Sequence, residues 1–422
     1  MISRKFATST FFVTVLMSLA GAANAGGLYI SEFGQPSQGA SGAGGGALAE
    51  DASAAFQNPA SVMGLDESQW MVTAIGITGS AKFDTNDSNT TGMGAPGTGY
   101  TNGGDAFESA IGAALFYANP FSEKFGFGLS FNSISGAGLD YDDNFVGRYW
   151  AEEVTLLTIN LTPSFSYRVN DQWSVAVGVS AMYGTLEMDV AIPGPAPGGD
   201  LALAQIEDGD DVSATISLST FFELDDRTRF GLAYLGENEL SFDSDLTLTP
   251  PLPAGTIGAD IEMVWPQTLR LHGARELGNN LTMLATIAWE DWSTFDSVPI
   301  STANGGNALP RNWGDTYKFS LGMKWDTLGS GAYYAGVAFD TDPTDANNRT
   351  ADMPIDEQWR FSVGGTWDTS ERMQLGAVLT YADNGDAKIQ NGGTRPGPVD
   401  WFVDGEYSSN NAIFLGLNLN YK

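Results

Sequence analysis

Six charged residues fall at the small-residue positions of segments that otherwise alternate large apolar with small polar side chains: Arg168, Arg270, Glu290, Lys318, Lys324 and Arg360. Arginine carries a planar fork of donors that can grip a carboxylate with two parallel hydrogen bonds. Arg168, Arg270 and Arg360, together with Lys318, are therefore candidate ligands for an acidic headgroup. The competing assignment is that these charges pair with one another, or with whatever fills the space they face. Catalysis has far less to work with. The chain has no cysteine and a single histidine, His272, with no nucleophile motif beside it. A catalytic triad and a Cys/His zinc site both lack their parts, so no catalytic residue, metal ligand or cofactor is assigned. Loop aspartates such as Asp84, Asp142, Asp208 and Asp210 could bridge divalent cations, but none shows calcium-loop spacing, and a solvated acidic surface is expected.

The elements that carry these charges read as strands. Leu157, Ile159, Leu161, Phe165, Tyr167 and Val169 share one face, with Thr158, Asn160, Thr162, Ser164, Ser166 and Arg168 on the other. Period-two alternation is the signature of a strand with one apolar face. A soluble sandwich would bury its large residues and expose charges. Here the second face is rich in Gly, Ser, Thr and Asn, as a polar lumen requires, and aromatics gather near the ends of the apolar face. The rule predicts strands at 68–81, 107–118, 124–134, 151–169, 172–187, 210–224, 228–240, 259–276, 280–296, 313–326, 331–341, 356–368, 371–383 and 405–421. Fourteen is an even number, as bacterial single-chain barrels require, and short turns alternate strictly with long loops. The expected fold is all-β: a transmembrane antiparallel β-barrel in the outer membrane of a Gram-negative cell. His272 is expected to line its lumen or girdle, near the periplasmic end of its strand.

Before the barrel the chain behaves differently. Arg4 and Lys5, the apolar stretch from Phe11 to Ala20, and Ala23-Asn24-Ala25 read as a signal peptide over 1–25, since the apolar stretch is too short to span a bilayer. Residues 26–67 are Gly- and Ala-rich and do not alternate. Leu28, Tyr29, Ile30, Phe33, Leu48, Phe56 and Met63 make them too apolar for a solvated linker. A short helix from Ala47 to Phe56, ended by Asn58-Pro59, is expected to form part of a plug rising into the lumen. The barrel proper is placed at 68–422. Its last strand alternates Ile413, Leu415, Leu417, Leu419 and Tyr421 with smaller residues, resembling the signal read by the barrel-assembly machinery, though the chain ends one residue later, in Lys422. A formal net charge of −32 with few Lys and Arg argues against nucleic acid.

The stretch 50-EDASAAFQNPA-60 resembles the N-terminal hatch of the FadL-type long-chain fatty acid and hydrocarbon transporters. Similar stretches are 147-GRYW-150 with 159-INLTPSFSYR-168, then 288-AWEDWSTF-295, 312-NWGDTYKFSLG-322 and 353-MPIDEQWRFSVG-364. The resemblance implies a plugged fourteen-stranded barrel, capture of an amphipath by external loops, and exit through a lateral opening in the wall. It makes Phe56, Asn58, Pro59 and Ala60 the hatch gate, and places the Asn-Pro-Ala turn beside the lateral gap. It also favours a capture groove between loops 188–209 and 241–258, which are unusually apolar for exposed connections. Ile192, Leu201, Leu203, Leu246 and Leu248 are its candidate residues, with Phe33 on the hatch. The implied activity is passive transport of hydrophobic molecules, most of all long-chain fatty acids, with no cofactor. Aromatic or alkane hydrocarbons are the alternative ligands. An adhesin or phage-receptor barrel is the alternative class, and an open porin would not need some forty residues of apolar plug. Outer-membrane lipid, lipopolysaccharide and the assembly machinery are the other expected partners.

Overall fold

The structure, a computed structural model, describes residues 28–86, 99–193, 200–249, 255–278, 280–327, 329, 331–391 and 402–422. The expected signal peptide lies outside them. The first half of the wall comprises β1 (Gln69–Thr85), β2 (Ala110–Asn119), β3 (Phe125–Asn132), β4 (Gly136–Asp140), β5 (Glu153–Asn170), β6 (Trp173–Pro193), β7 (Asp200–Asp225), β8 (Thr228–Leu235), β9 (Asn238–Leu248) and β10 (Gly255–Trp265). The second half comprises β11 (Thr268–Gly278), β12 (Leu281–Glu290), β13 (Ser297–Thr302), β14 (Gly305–Pro310), β15 (Thr316–Asp326), β16 (Gly331–Asp340), β17 (Gln358–Asp368), β18 (Met373–Asp383), β19 (Ile389–Asn391) and β20 (Val403–Tyr421). All pairings are antiparallel, and β20 closes onto β1 from Trp70 opposite Tyr421 to Thr85 opposite Gly405. The result is a closed barrel of fourteen strands; β4, β9, β10, β13, β14 and β19 extend it on the external side.

Closure answers the solvent. In hydrocarbon an unpaired backbone group costs several kcal/mol, so the sheet can have no free edge. The outward residues are large and apolar, Phe165, Leu321, Val363 and Leu415 among them, and all are exposed on the protein surface. Trp70 meets Tyr421 at 5.6 Å between ring centroids on the periplasmic rim, and Phe339 meets Trp359 at 4.8 Å on the external rim.

The alternation located the wall but hid its interruptions. The expected strand 228–240 is broken after Leu235, and 259–276 is broken at Pro266-Gln267. Proline has no N–H for the ladder, which explains the second break. The register continues across both, with Leu235 opposite Thr268 and Asn238 opposite Trp265, so the alternation ran on unchanged. The expected loops 188–209 and 241–258 are mostly strand: β6 and β7 continue to Pro193 and Asp200, and β9 pairs with β10.

Residues 28–67 fill the lumen, as expected of a plug. The single helix expected from Ala47 to Phe56 is instead two one-turn helices, α1 (Gly45–Leu48) and α2 (Ala54–Gln57), flanked by 3₁₀ turns Pro36–Ala40 and Pro59–Gly64. Ala49 ends α1 in the left-handed region (φ 52), and the Asp51 carboxylate accepts from the Ser53 amide at 2.8 Å to start the next turn. Glycine on the inner wall answers this packing. A side chain at Gly336 would collide with the Ala40 carbonyl, and one at Gly231 with the Gly46 carbonyl and the Asn58 amide.

Candidate functional site

Hatch residues 28–35 are held at five points of the ring, one of them the Gly34 carbonyl, which accepts from Asn418 Nδ2 at 2.6 Å. The Tyr29 hydroxyl donates to the Pro266 carbonyl at 2.8 Å, the Ile30 amide to the Ile134 carbonyl at 2.7 Å, and Lys318 Nζ to Ser31 Oγ at 3.1 Å. Glu32 lies 3.4 Å from Arg360, which also pairs with Asp340. Burial raises the Glu32 carboxyl, but Arg360 and Lys318 outweigh it and hold the group below its ordinary value of 4.5. Lower down, Lys324 pairs with Glu50 of the hatch at 2.6 Å and with Asp326 at 2.8 Å.

A cavity of about 60 Å³ lies between this segment and the wall. Tyr29, Ile30 and Phe56 line it from the hatch; Ile134, Leu235, Arg270, His272, Glu290, Lys318 and Asp340 line it from the strands. Phe56 stacks edge-on with Phe33 at 5.1 Å and faces Phe116 at 6.2 Å. His272 is buried midway along β11, not near its periplasmic end. Its Nδ1 shares a 2.9 Å hydrogen bond with Thr286 Oγ1, and its Nε2 has no partner. Glu290 accepts from Trp292 Nε1 at 2.9 Å and from Thr316 Oγ1 at 3.3 Å. Arg270 stands apart. Its guanidinium lies 5.3 Å from the Phe56 ring centroid, and among the described residues it makes neither an ion pair nor a hydrogen bond.

The four basic candidates thus divide. Arg270 and Lys318 face one cavity with no carboxylate paired to either among the described residues. Arg360 adjoins the same cavity through Asp340 but is spent on Glu32 and Asp340. Arg168 is elsewhere, at the periplasmic rim, bonded to the Met63 carbonyl and 3.7 Å from Glu223.

The wall beside this cavity is incomplete. β2 and β3 are paired only from Leu115 opposite Phe131 to Asn119 opposite Phe127. Residues 133–135 then leave the strand, and β4 resumes against β5 alone. Among the described residues, 110–114 of β2 pair with β1 and with nothing on their other side. Contact returns only at the bridge between Phe107 and Leu139. The carbonyls freed at the kink are not left bare: that of Ile134 takes the Ile30 amide, and that of Ser135 takes the Thr158 amide at 3.0 Å. The sequence carried a signal for this. Phe127, Leu129 and Phe131 hold the outward positions, the next outward position is Ser133, and the apolar residue falls inward at Ile134.

In the Asn-Pro-Ala turn, Pro59 lines a small cavity with Asn132 and Ile134 of the window edge, whereas Asn58 and Ala60 are fastened elsewhere. Asn58 is fully buried; its Nδ2 donates to the Gly46 carbonyl at 2.8 Å and the Thr220 carbonyl at 3.0 Å. The Ala60 amide donates to Ser219 Oγ at 3.0 Å, and Ser166 Oγ to the Pro59 carbonyl at 2.7 Å. Apart from Gly46 of the hatch, these partners belong to β5 and β7, whose small inward residues leave room for a buried amide. Phe56 of α2, against Phe116 of β2, also faces the window side.

The proposed groove residues are brought together, but as a sheet. β7 pairs with β9, with Ile206 opposite Leu246 and Ala204 opposite Leu248. Ile192 lies opposite Ala202 across β6 and β7. Directly opposed residues share a face and neighbours along a strand do not. Ile192, Leu246 and Leu248 therefore lie on the inner face with buried Val190 and Ile206, while Leu201 and Leu203 lie on the outer one. Two contributors that the sequence reading missed complete the site: Glu32, whose partner Arg360 lies far along the chain, and the 133–135 kink, whose signal at Ser133-Ile134 was present but unread.

Residues 16–422 match the family model described as outer membrane protein transport protein (OMPP1/FadL/TodX). The long-chain fatty acid transport protein of Escherichia coli O6:H1 strain CFT073 is 26% identical over 440 residues, covering 94% of each chain. Outer membrane protein P1 of Haemophilus influenzae is 22% identical over 465 residues, covering 99% of each. Among solved structures, a Pseudomonas aeruginosa FadL homologue aligns with a TM-score of 0.84 at 21% identity, covering 94% of this chain and 99% of that one. The toluene transporter TodX of P. putida aligns at 0.67 and 16% identity, covering 92% and 98%.

Proposed function

The chain belongs to the outer membrane protein transport protein family (OMPP1/FadL/TodX), and on that footing we propose that it carries long-chain fatty acids across the outer membrane by facilitated diffusion. Arg270 carries this reading. An arginine that makes no ion pair among the described residues, facing a cavity lined by Tyr29, Ile30, Phe56, Ile134 and Leu235 with Glu290 across it, is suited to an anion that arrives with an apolar tail. A neutral hydrocarbon has no charge to pair with it and gains at most a weak cation–π contact. Lys318, which donates to Ser31 Oγ at 3.1 Å and faces the same cavity, supplies a second donor. The chain enters through the inner face of the β6, β7 and β9 extension and leaves through the window between β2 and the kink.

The test compares two ligand classes in one variant. Arg270→Leu should weaken oleate binding by roughly ten- to a hundredfold, since a charge-assisted contact contributes about 1.5–3 kcal/mol. Toluene binding should change little. Equal loss for both ligands would assign Arg270 to the structure of the lumen. Tight toluene binding with no measurable oleate binding in the unmodified protein would favour the hydrocarbon reading.

A further inference from the structure

We propose that the lumen contains a separate subsite for a hydroxyl group on the ligand's chain, so that the channel prefers hydroxylated fatty acids to unsubstituted ones. The inference rests on the fatty-acid reading above and specifies its substrate class. A second cavity, of about 20 Å³, meets the first at Phe56, Ile134, Leu235 and Arg270 and continues along the inner faces of β3 and β5. Its far wall is polar. Ser130, Asn132 and Asn160 line it, and each is at least 98% buried.

None of the three is fully satisfied by the protein: Asn160 Nδ2 donates to Ser180 Oγ at 3.4 Å, but its Oδ1 is left open. Ser130 Oγ, Asn132 Nδ2 and Asn160 Oδ1 have no hydrogen-bond partner, whereas neighbouring Thr162 and Ser180 bond each other at 2.9 Å. Asn132 and Asn160 are directly opposed across the β3–β5 ladder, so their side chains share a face about 5 Å apart at Cβ. One offers a donor and the other an acceptor, and they do not bond each other. A buried polar group without a partner is costly, so such a pair is matched to a guest that supplies both halves. A hydroxyl does, accepting from Asn132 and donating to Asn160. A hydrocarbon supplies neither, and a ketone leaves the Asn160 oxygen bare. The position also fits, because Asn132 immediately precedes the 133–135 kink at the edge of the window.

The experiment measures binding of stearate, and of stearates hydroxylated near the carboxyl end, at mid-chain and near the methyl end, to the intact barrel in detergent. At least one hydroxylated acid should bind roughly tenfold tighter than stearate. Asn160→Leu and Asn132→Leu should each abolish that preference and leave stearate affinity unchanged, which also reports an intact lumen. If every hydroxylated acid binds no tighter than stearate, water alone fills the pocket and the subsite is overturned. If the preference survives both variants, it originates elsewhere and the assignment to this pair fails. If no acid binds at all, the fatty-acid reading falls and the subsite with it. Should both variants lose stearate binding, Ser130→Ala carries the test, and an undiminished preference there and in an Asn160→Ser variant overturns the proposal.

Discussion

The wall is built differently on its two sides. From β15 to β18 each strand is hydrogen-bonded along its whole membrane length, as from Gly331 opposite Trp367 to Asp340 opposite Gln358. Between β2 and β3 the ladder stops at Leu115 opposite Phe131. The hatch is fastened to match. On the closed side it is tied by buried charge, Glu32 to Arg360; on the open side, among the described residues, by a neutral backbone bond from Ile30 to Ile134. Breaking a buried ion pair costs about 3–5 kcal/mol, a neutral hydrogen bond about 0.5–1.5. The hatch is thus anchored where the wall is complete and lightly held where it is not. A moving ligand can release the second tie without disturbing the first.

The largest effect should follow from removing the anchor. Arg360→Ala leaves Glu32 and Asp340 buried without their cation, at about 3–5 kcal/mol. The hatch should become cleavable by protease, and planar bilayers should show a large conductance that the unmodified barrel lacks. An intact, silent hatch would mean the closed side is not the anchor. The same tie has a pH signature. Glu32 titrates below its ordinary value, so its contribution is complete above 4.5 and is lost as the pH falls below that toward the depressed value. Conductance appearing on acidification should therefore be absent from a Glu32→Gln variant as a pH-dependent step.

Next comes the Asn-Pro-Ala turn, bonded to β5 and β7 and bordering the open side through Pro59. Replacing Asn58 and Pro59 with Ala-Ala strips the Gly46 and Thr220 carbonyls of their buried donor, at about 1–3 kcal/mol, and frees a fixed backbone angle. Because the strands are untouched, the barrel should assemble normally, while labelled oleate uptake changes strongly. Normal uptake at normal outer-membrane abundance would reduce the turn to a joint.

A cross-link compares the two sides directly. The chain has no cysteine, so introduced pairs are clean. Extending the β2–β3 register by two residues would set Ala113 opposite Ser133; Ala335 opposite Val363 is a true pair on the closed side. Oxidising an Ala113→Cys, Ser133→Cys double variant should cut uptake severalfold, restored by reductant. The Ala335→Cys, Val363→Cys pair should leave uptake unchanged. Equal behaviour of the two would show that the window is not the exit.

What could be read in the chain tracks how local its cause is. Alternation depends on neighbours, so the fourteen strands, the lumen face and the plug were all visible. Pro266 and the parity change at Ser133-Ile134 were also there, as single residues inside otherwise regular patterns, and regular patterns on either side masked them. Segments 200-DLALAQ-205 and 244-SDLTLT-249 alternate too, but their place between expected strands made them read as loops. The Glu32–Arg360 pairing joins distant parts of the chain, and no local pattern distinguishes Arg360, which is spent, from Arg270, which is not.

The smallest effect separates two leucines that composition treats alike. Leu248 lies opposite Ala204, two residues from the Leu246–Ile206 pair along the ladder, so it shares the inner face with Val190. Leu203 lies between Ala202 and Ala204 on β7 and must point the other way. An aspartate at position 248 would put a charge into an apolar surface whose burial contributes about 25 cal/mol per Å². It would also repel an incoming carboxylate. Leu248→Asp should therefore slow oleate association severalfold in stopped-flow measurements on the solubilised barrel, with dissociation little changed, because the lumen is untouched. Leu203→Asp should stay within about twofold of the unmodified protein, since its charge faces outward and is solvated or screened. Toluene, which has no charge to repel, should show a smaller defect with Leu248→Asp than oleate does. If the two aspartates slow oleate equally, capture does not use the inner face, and the route must begin elsewhere on the external rim.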